Sequence, residues 1–222
     1  LVTREQLKST LSSATMSHGV DATFYIKGHS FNRNHNENTA WMGGPQLGGY
    51  ERNFCAEKYN TTKTDVYQIL TGLPNGYYIL EVQGFYRDSY DSKTTAEHRD
   101  LGSEQLRASL YAGDRSTPLK SILDDATSSP LGESAQTKYG WVPNSMIQAG
   151  TYFDEGLYVN KVSAWVTDGT LRIGISKSTG EYGDWIIFDN FRLTYYGTLK
   201  ESEQIITFAD NKVKDICIAN WD

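Results

Sequence analysis

Residues 65 to 76, Asp-Val-Tyr-Gln-Ile-Leu-Thr-Gly-Leu-Pro-Asn-Gly, carry the clearest fold signal in the chain. An apolar run ends at a Pro-Asn-Gly turn, and a second apolar run starts directly after it at Tyr77. Pro, Asn and Gly favour a tight change of chain direction between two strands. The stretch therefore predicts a hairpin-like corner that joins two β-strands.

The second of these strands, residues 77 to 87, has two different faces. Successive side chains of a strand point to opposite sides of the sheet, so alternate positions share one environment. The face predicted to lie in the core carries Tyr78, Leu80, Val82, Gly84 and Tyr86. The other, chemically mixed face carries Tyr77, Ile79, Glu81, Gln83, Phe85 and Arg87.

Strand signals recur along the chain, and helix signals are few. The Asp168-Gly169 turn predicts a tight hairpin between residues 158–166 and 171–176. One helix is predicted over residues 145–155, with Asn144 as its cap and Gly156 at its end. The other predicted strands cover residues 22–26, 106–112, 119–123 and 185–196. Many short strands with one or two short helices predict an all-β fold, an antiparallel β-sandwich.

The chain divides into three predicted parts. Leu7 and Leu11 have helical spacing, so residues 1–21 are predicted to form a lead-in helix and linker. Residues 22–198 form the sandwich domain, a size that fits one large β domain. Residues 199–222 are expected to be a truncated connector to a following module.

Charge and composition exclude several classes of partner. The 21 Lys and Arg residues against 27 Asp and Glu residues give a net charge of -6. No basic run offsets this field, so a nucleic acid is not an expected partner. No apolar stretch reaches the roughly 20 residues that span a bilayer, so membrane insertion of this fragment is not expected. Cys55 and Cys217 are interpreted as buried free thiols rather than as one long-range disulfide.

Patterns typical of catalysis are missing from the sequence. It contains no GxSxG, no HExxH, no phosphate-binding glycine loop and no nicotinamide fingerprint. His29 and His35 lie near each other without helical spacing, which favours two solvated side chains over a metal pair. A glycosidase needs two acids about 5 to 10 Å apart, and no motif here predicts such a pair. We therefore expect a protein that is not an enzyme.

Aromatic residues in polar, glycine-rich segments are more informative. Trp41, Tyr50 and Trp141 each lie among glycines and polar groups. Sugars stack their C–H faces on such rings, which makes these three residues candidate platforms for a glycan. The alternative is that each ring closes one end of the sandwich.

Three polar residues are candidates for contacts with the sugar hydroxyls. Gln83 and Arg87 lie on the mixed strand face, and Asp184 lies in a glycine-rich turn before the last strand. Amide, guanidinium and carboxylate groups can bind hydroxyl oxygens in a bidentate manner. A cross-strand salt bridge is an equally good interpretation of Arg87.

Several runs together resemble a known family of domains. They are Asp65 to Tyr78, Val82 to Arg87, Leu110 to Asp114, Val142 to Met146 and Gly183 to Gly197, the last containing Trp-Ile-Ile-Phe-Asp-Asn-Phe-Arg-Leu-Thr-Tyr-Tyr-Gly. These runs are similar to the galactose-binding-like jelly-roll modules of surface and secreted proteins from Bacteroides-type gut bacteria. The resemblance covers most of residues 22–197.

The resemblance implies a function and a location. It implies a non-catalytic carbohydrate-binding module that is attached to adjoining domains of an extracellular or cell-surface protein and binds glycan or polysaccharide. The alternative is a structural or adhesive spacer that binds other proteins.

The resemblance also raises the question of a structural calcium ion. In related jelly rolls an Asp on the last strand is a ligand, and Asp189 occupies the matching position. The usual first-strand carboxylate is absent from the matching segment, Lys27 to Asn32, which removes one hard-oxygen ligand.

Overall fold

The computed structural model of the protein describes residues 3–31, 36–49 and 54–198. Within these residues the helices are α1 (Arg4–Thr10), α2 (Ser92–Asp100) and α3 (Met146–Asp154). The strands are β1 (Val20–Asp21), β2 (Gln46–Gly48), β3 (Cys55–Tyr59), β4 (Thr64–Thr71), β5 (Gly76–Arg87), β6 (Ala108–Ala112), β7 (Arg115–Pro118), β8 (Lys120–Ser121), β9 (Ala135–Thr137), β10 (Gly140–Val142), β11 (Val159–Val166), β12 (Thr170–Lys177) and β13 (Trp185–Tyr195). None of the helices in these residues is long and apolar enough to cross a membrane.

Two main sheets form the layers of the fold. The large sheet has the order β11-β5-β13-β3-β2, with β1 paired to β13 and β8 paired to β5. The small sheet has the order β4-β12-β6-β7, and β9 and β10 form a separate two-stranded ribbon. All these pairings are antiparallel except the short one between β5 and β8. The predicted antiparallel β-sandwich is confirmed, and the described residues form three short α-helices where one or two were predicted.

The main hydrophobic core lies between the two sheets. The face of β5 predicted to point inward does so, because Tyr78, Leu80, Val82 and Tyr86 are all fully buried. Its partners from the small sheet are the inward side chains of β4, β6 and β12, among them Val66, Leu70, Leu110, Ile173 and Ile175. Burial of each such side chain contributes about 1.5–3 kcal/mol, so this layer is the main source of stability.

Both predicted turns are present, but each of them connects a strand of one sheet to a strand of the other sheet. β4 belongs to the small sheet and β5 to the large sheet, and β11 and β12 are divided in the same way. The predicted pairing of residues 158–166 with 171–176 is therefore wrong: β11 pairs with β5, and β12 pairs with β4 and β6. A turn sets the local reversal of the chain, whereas the shared core places the two strands face to face.

The two corners stabilise each other. The backbone N–H of Leu73 donates to the carbonyl oxygen of Gly169 at 3.0 Å. The N–H of Gly169 in turn donates to Oδ1 of Asn75 at 3.0 Å. Gly169 has φ of 75°, the left-handed conformation that its turn was predicted to need.

Local side-chain hydrogen bonds account for other differences from the predictions. Residues 22–26 contain a 3-10 turn, Thr23–Tyr25, instead of a strand, because the Asp21 carboxylate accepts a bond from the Thr23 N–H at 2.9 Å. Helix α3 is capped by Ser145 rather than by Asn144, since the Ser145 hydroxyl accepts from the Gln148 N–H at 3.2 Å.

Cys55 is buried and free, whereas Cys217 lies outside the described residues.

A second hydrophobic cluster covers part of the outer face of the large sheet. Phe85 of β5 and Ile187 of β13 are completely buried there, under Phe153 of α3 and Tyr158. The rings of Phe85 and Tyr158 lie 4.9 Å apart. Helix α3 therefore covers one half of this face and leaves the other half open to solvent.

A buried ion pair connects the two sheets at one end of the sandwich. Lys177 of β12 and Asp184 form a salt bridge in which neither side chain has any solvent exposure. The hydroxyl of Tyr86 on β5 donates to the same carboxylate oxygen at 2.8 Å. Burial, and then this bond to Asp184, raise the pKa of Tyr86 well above its ordinary value. The pair therefore holds a charged group of each sign inside the core.

Removing one charge of this pair is expected to be far more destabilising than removing both. Asp184→Ala leaves the Lys177 ammonium buried without its partner and should cost about 3–5 kcal/mol of unfolding free energy. The double variant Lys177→Met, Asp184→Leu should recover most of that loss, because neither side chain then buries a charge. Urea denaturation measures both, with Asp114→Ala on an exposed turn as the control. An equal loss in the single and double variants would contradict this account.

Candidate functional site

A β-bulge interrupts the central strand pair of the large sheet. β13 pairs with β5 as far as Asp189 opposite Gln83, and again from Arg192 opposite Glu81. Two residues of β13 therefore face only Val82, so β13 contains one extra residue at this point. Asn190, the first of the two, has φ of 55°, a left-handed conformation that Asn tolerates better than most residues.

The second residue of the bulge connects it to the core and to a neighbouring loop. Phe191 is fully buried and belongs to the main core cluster. Its backbone N–H donates to the carbonyl oxygen of His29 at 2.8 Å, so the bond that the strand ladder loses is replaced. The bulge is thus held on both sides rather than being a loose irregularity.

An open groove of about 720 Å³ lies over this bulge, and we call it the bulge groove. The lining side chains with polar or aromatic groups include Asp21, Phe24, His29, Glu81, Asn190 and Arg192. A second hollow of about 240 Å³ shares Glu81, Asn190 and Arg192 with it and continues to Gln83 and Asp154 beside α3. The two hollows therefore form one continuous depression on the open half of the sheet face.

Hydrogen bonds fix the amide groups along this depression. Nε2 of Gln83 donates to the carbonyl oxygens of Phe153 and Leu157, at 2.6 and 3.0 Å. Oε1 of Gln83 accepts a bond from Nδ2 of Asn190 at 2.8 Å. Gln83 thus links the end of α3 to the bulge and orients the Asn190 side chain.

Charges of both signs lie on the floor of the groove. Glu81 forms a salt bridge of 2.9 Å with Lys161 of β11, at the edge of the depression. Arg192 is exposed and occupies the register position opposite Glu81 on the neighbouring strand. The groove therefore offers carboxylate acceptors and cationic donors side by side, with one more cation than carboxylate among these three residues.

Trp41 does not have the environment predicted for a glycan platform. Its side chain is only 4% exposed, and its ring stacks on that of Phe191 with 4.6 Å between centroids. Its indole Nε1 donates to the carbonyl oxygen of Gly28 at 3.1 Å. The polar residues around Trp41 in the sequence form the backbone turns that carry the ring inward, which corrects the predicted exposure. Tyr50 lies outside the described residues.

Arg87 and Asp184 are also internal rather than placed to meet a ligand. Arg87 is 6% exposed, and its guanidinium donates to the carbonyl oxygens of Ser89 and Gly183 at 2.9 and 3.2 Å. Burial lowers the pKa of Arg87, and its guanidinium lies 5.0 Å from the centre of the Trp185 ring. Asp184 is fully buried in its ion pair with Lys177. Neither predicted polar contact is available to a glycan here.

The remaining predicted residues divide between two places. Trp141 is half-buried on the β9–β10 ribbon, where its backbone pairs with Thr127, and it does not line the bulge groove. Gln83 does line the depression, so it is the predicted residue that the structure brings to this site. Within the described part of the chain, the predicted residues therefore do not converge on one aromatic hollow.

Asn190 and Arg192 were not predicted as site residues, although both lie in the run predicted as the last strand. An Asp-Asn pair inside an apolar strand is unusual, because these residues favour turns and left-handed backbone. That pair, Asp189-Asn190, was the available signal for a bulge. Glu81 was placed correctly on the mixed face of its strand but was not singled out.

Asp189, which the resemblance implies is a calcium ligand, lies inside the domain. Asp189 is 5% exposed, and one of its oxygens accepts a bond from the Asn190 N–H at 2.7 Å. Desolvation raises the pKa of Asp189 well above its ordinary value, and nearby Asp154 adds to this effect. No group of three or more His, Cys, Asp or Glu residues that could hold a metal occurs among the described residues, and Asn32 of the matching segment lies outside them.

Comparison with known proteins gives weak likenesses of fold. No protein-family model matches the chain, and no curated protein matches it in sequence. Solved structures that resemble it include the carbohydrate-binding module TmCBM61 in complex with β-1,4-galactotriose, at 12% identity and a TM-score of 0.40, covering 77% of this chain and 97% of that one. At these values the likeness carries no information about the ligand of this chain.

Two further solved structures have similar fold-level likeness. One is a GH115 4-O-methyl-α-glucuronidase, BtGH115A, at 11% identity and a TM-score of 0.35, where 69% of this chain matches 16% of the enzyme. The other is a candidate sugar-binding protein from Bacteroides thetaiotaomicron, at 11% identity and a TM-score of 0.30, covering 83% of this chain and 91% of that one.

Replacing Asp189 should reveal its raised pKa as a pH dependence of stability. A carboxyl whose pKa is raised on folding stabilises the fold below the unfolded pKa of about 3.9 and loses that contribution as pH rises towards the folded pKa. Asp189→Asn should therefore match the wild type at low pH and exceed its unfolding free energy increasingly above about pH 4. Urea denaturation across a pH series measures this difference.

Calcium and a chelator provide the control for that series. Because no cluster of metal ligands surrounds Asp189 among the described residues, the unfolding midpoint of the wild type should be the same in calcium and in chelator. A midpoint that rises with calcium in the wild type but not in Asp189→Asn would instead show an ionised carboxylate that binds the cation.

Proposed function

We propose that this chain is a non-catalytic carbohydrate-binding module of a larger secreted or cell-surface protein, and that it binds glycan in the bulge groove. The observation that carries this proposal is the open groove of about 720 Å³ over the bulge, with exposed Arg192 beside Glu81 and Asn190. A groove open along a sheet face accommodates a polymer better than a closed pocket does.

The side chains of the groove match the chemistry of sugar hydroxyls. Each hydroxyl both donates and accepts a hydrogen bond, so neighbouring hydroxyls need donors and acceptors close together. Arg192 supplies a planar fork of donors, and Glu81 supplies carboxylate acceptors on the adjacent strand. The half-buried ring of Phe24 provides an apolar wall for the C–H face of a sugar.

Charge and shape set the expected ligand class and affinity. The net charge of -6 opposes strongly anionic polymers, which favours neutral glycans. A shallow groove buries few apolar atoms, so one site should bind at about millimolar to micromolar Kd. Useful retention on a polysaccharide would then come from several modules acting together.

A structural or adhesive spacer module is the second candidate function. The burial of Trp41 favours it, because a ring expected to be a glycan platform is part of the core instead. In that case the bulge groove would be a surface feature without a sugar ligand. A glycan screen that yields no binding would support this alternative.

Arg192→Ala should weaken glycan binding and leave the fold intact. Loss of a charged hydrogen bond costs about 1.5–3 kcal/mol, which corresponds to a Kd roughly 10- to 150-fold weaker. Because Arg192 is exposed, the unfolding free energy should change by no more than about 0.5 kcal/mol. A glycan array followed by titration calorimetry on the best neutral ligand measures the binding.

Lys93→Ala, an exposed cation on α2 outside the groove, is the matched control and should bind like the wild type. Glu81→Gln keeps the shape of the groove and should weaken binding less than Arg192→Ala does. Binding that Arg192→Ala leaves unchanged would place the glycan elsewhere on the module.

A further inference from the structure

The open half of the large sheet continues beyond the bulge groove. Residues paired across strands share one face of the sheet, so the register of β11, β5 and β13 defines successive rows. The first row is Lys161, Glu81 and Arg192, and the second is Ser163, Ile79 and Thr194. Trp165 and Tyr77 begin the third row, and Tyr196 adjoins them. The face therefore changes from charged to hydroxyl-bearing to aromatic.

The third row is a packed group of three rings. The Tyr77 ring lies 4.7 Å from that of Trp165 and 5.8 Å from that of Tyr196, measured between centroids. Tyr77 is 6% exposed and supports the other two rings, which are half-buried and keep surface towards solvent. We call this group the aromatic row.

Polar groups that could bind sugar hydroxyls lie beside the aromatic row. Nη1 of Arg115 donates to Oγ of Ser163 at 3.1 Å, and the guanidinium lies 5.9 Å from the centre of the Trp165 ring. Trp165 and Arg115 also line a cleft of about 410 Å³, together with Asp114 and Asp168. Stacking surface and hydrogen-bonding groups thus occur together at a second point on the face.

The indole N–H of Trp165 donates no hydrogen bond within the described residues. Its Nε1 is buried and has no hydrogen-bond partner among the described residues. A buried donor without an acceptor is costly, and such groups in native proteins are usually completed by an ordered water or a ligand.

The distance between the two places suits an extended ligand. Glu81 in the groove and Tyr77 in the aromatic row lie four residues apart on β5, which corresponds to about 14 Å at the rise of a strand. Ser163 and Thr194 lie between them and are half-buried, so hydroxyl groups lead from one place to the other.

We infer that the ligand is a linear, neutral glycan that spans the bulge groove and the aromatic row. It makes its polar contacts in the groove and stacks a further sugar unit on Trp165. This inference rests on the proposed function and specifies the class of ligand. A ligand already bound in the bulge groove has lost its translational freedom. Its contacts with the aromatic row therefore add to the binding free energy without a second loss of translational entropy. The salt bridge between Glu81 and Lys161 pairs two of the charges on the path, and Arg192 remains as a hydrogen-bond donor for sugar hydroxyls.

The experiment measures Kd against ligand length by calorimetry with the full chain. The probes are linear gluco-, xylo-, manno- and galacto-oligosaccharides, from disaccharide to hexasaccharide. In at least one series the wild-type Kd should improve by about tenfold once the ligand is long enough to reach the aromatic row. Trp165→Ala should remove that improvement and leave the Kd for the disaccharide unchanged, whereas Arg192→Ala should weaken binding at every length.

Further variants separate a loss of ligand contact from a loss of folding. Trp165→Phe retains a ring and should retain most of the gain with length, and Trp141→Ala removes a half-buried indole off this face and should behave like the wild type. If Trp165→Ala fails to fold by circular dichroism, Arg115→Ala replaces it and should reduce the gain with length. Binding that depends on Arg192 but not on length or on Trp165 would overturn the inference and leave the proposed function standing. Absence of binding by the wild type to every probe would overturn both.

Discussion

The extra residue of β13 opposite Val82 is the constraint on which the functional surface depends. β5 and β13 are the longest strands and pair at the centre of the large sheet, so an interruption there affects both faces. On the inner side Phe191 enters the core, and its backbone bond goes to His29. On the outer side Asn190 adopts a left-handed conformation, and the groove lies over it. An unpaired backbone group and a left-handed residue in a strand both cost free energy. Here the bond of Phe191 to His29 and the bond of Asn190 to Gln83 offset that cost.

The outer face of the large sheet has two halves with different roles. In one half Phe85 and Ile187 are covered by α3 and the cluster around it, and their burial stabilises the domain. In the other half Glu81 and Arg192 remain accessible, together with the aromatic row beyond them. The same strands therefore supply both stability and a candidate ligand surface, and the position of α3 sets the boundary between the two.

The candidate site could be predicted from the sequence only in part. The period-two pattern placed Gln83 and Arg87 on the mixed face of β5, and Gln83 does line the depression. Arg87 lies further along the same face, but there its guanidinium is enclosed by Ser89, Gly183 and the Trp185 ring. The polar neighbours of Trp41 reflect the backbone turn around it, and they do not indicate whether the ring points into the core or into solvent. Side-chain exposure depends on what packs over a residue, and that is not a local property.

By itself the sequence determined which face of β5 points into the main core, where the chain turns and that the domain is built from antiparallel strands. These features follow from backbone geometry and turn chemistry over a few residues, as at Gly169, where the turn requires positive φ. Only the tertiary structure decided that β4 and β5 lie in different sheets, that β13 contains a bulge at Asn190 and that α3 covers one half of the outer face. Those outcomes depend on the pairing of segments far apart in the chain, such as the register of Glu81 opposite Arg192, and no local pattern encodes which segments will pair.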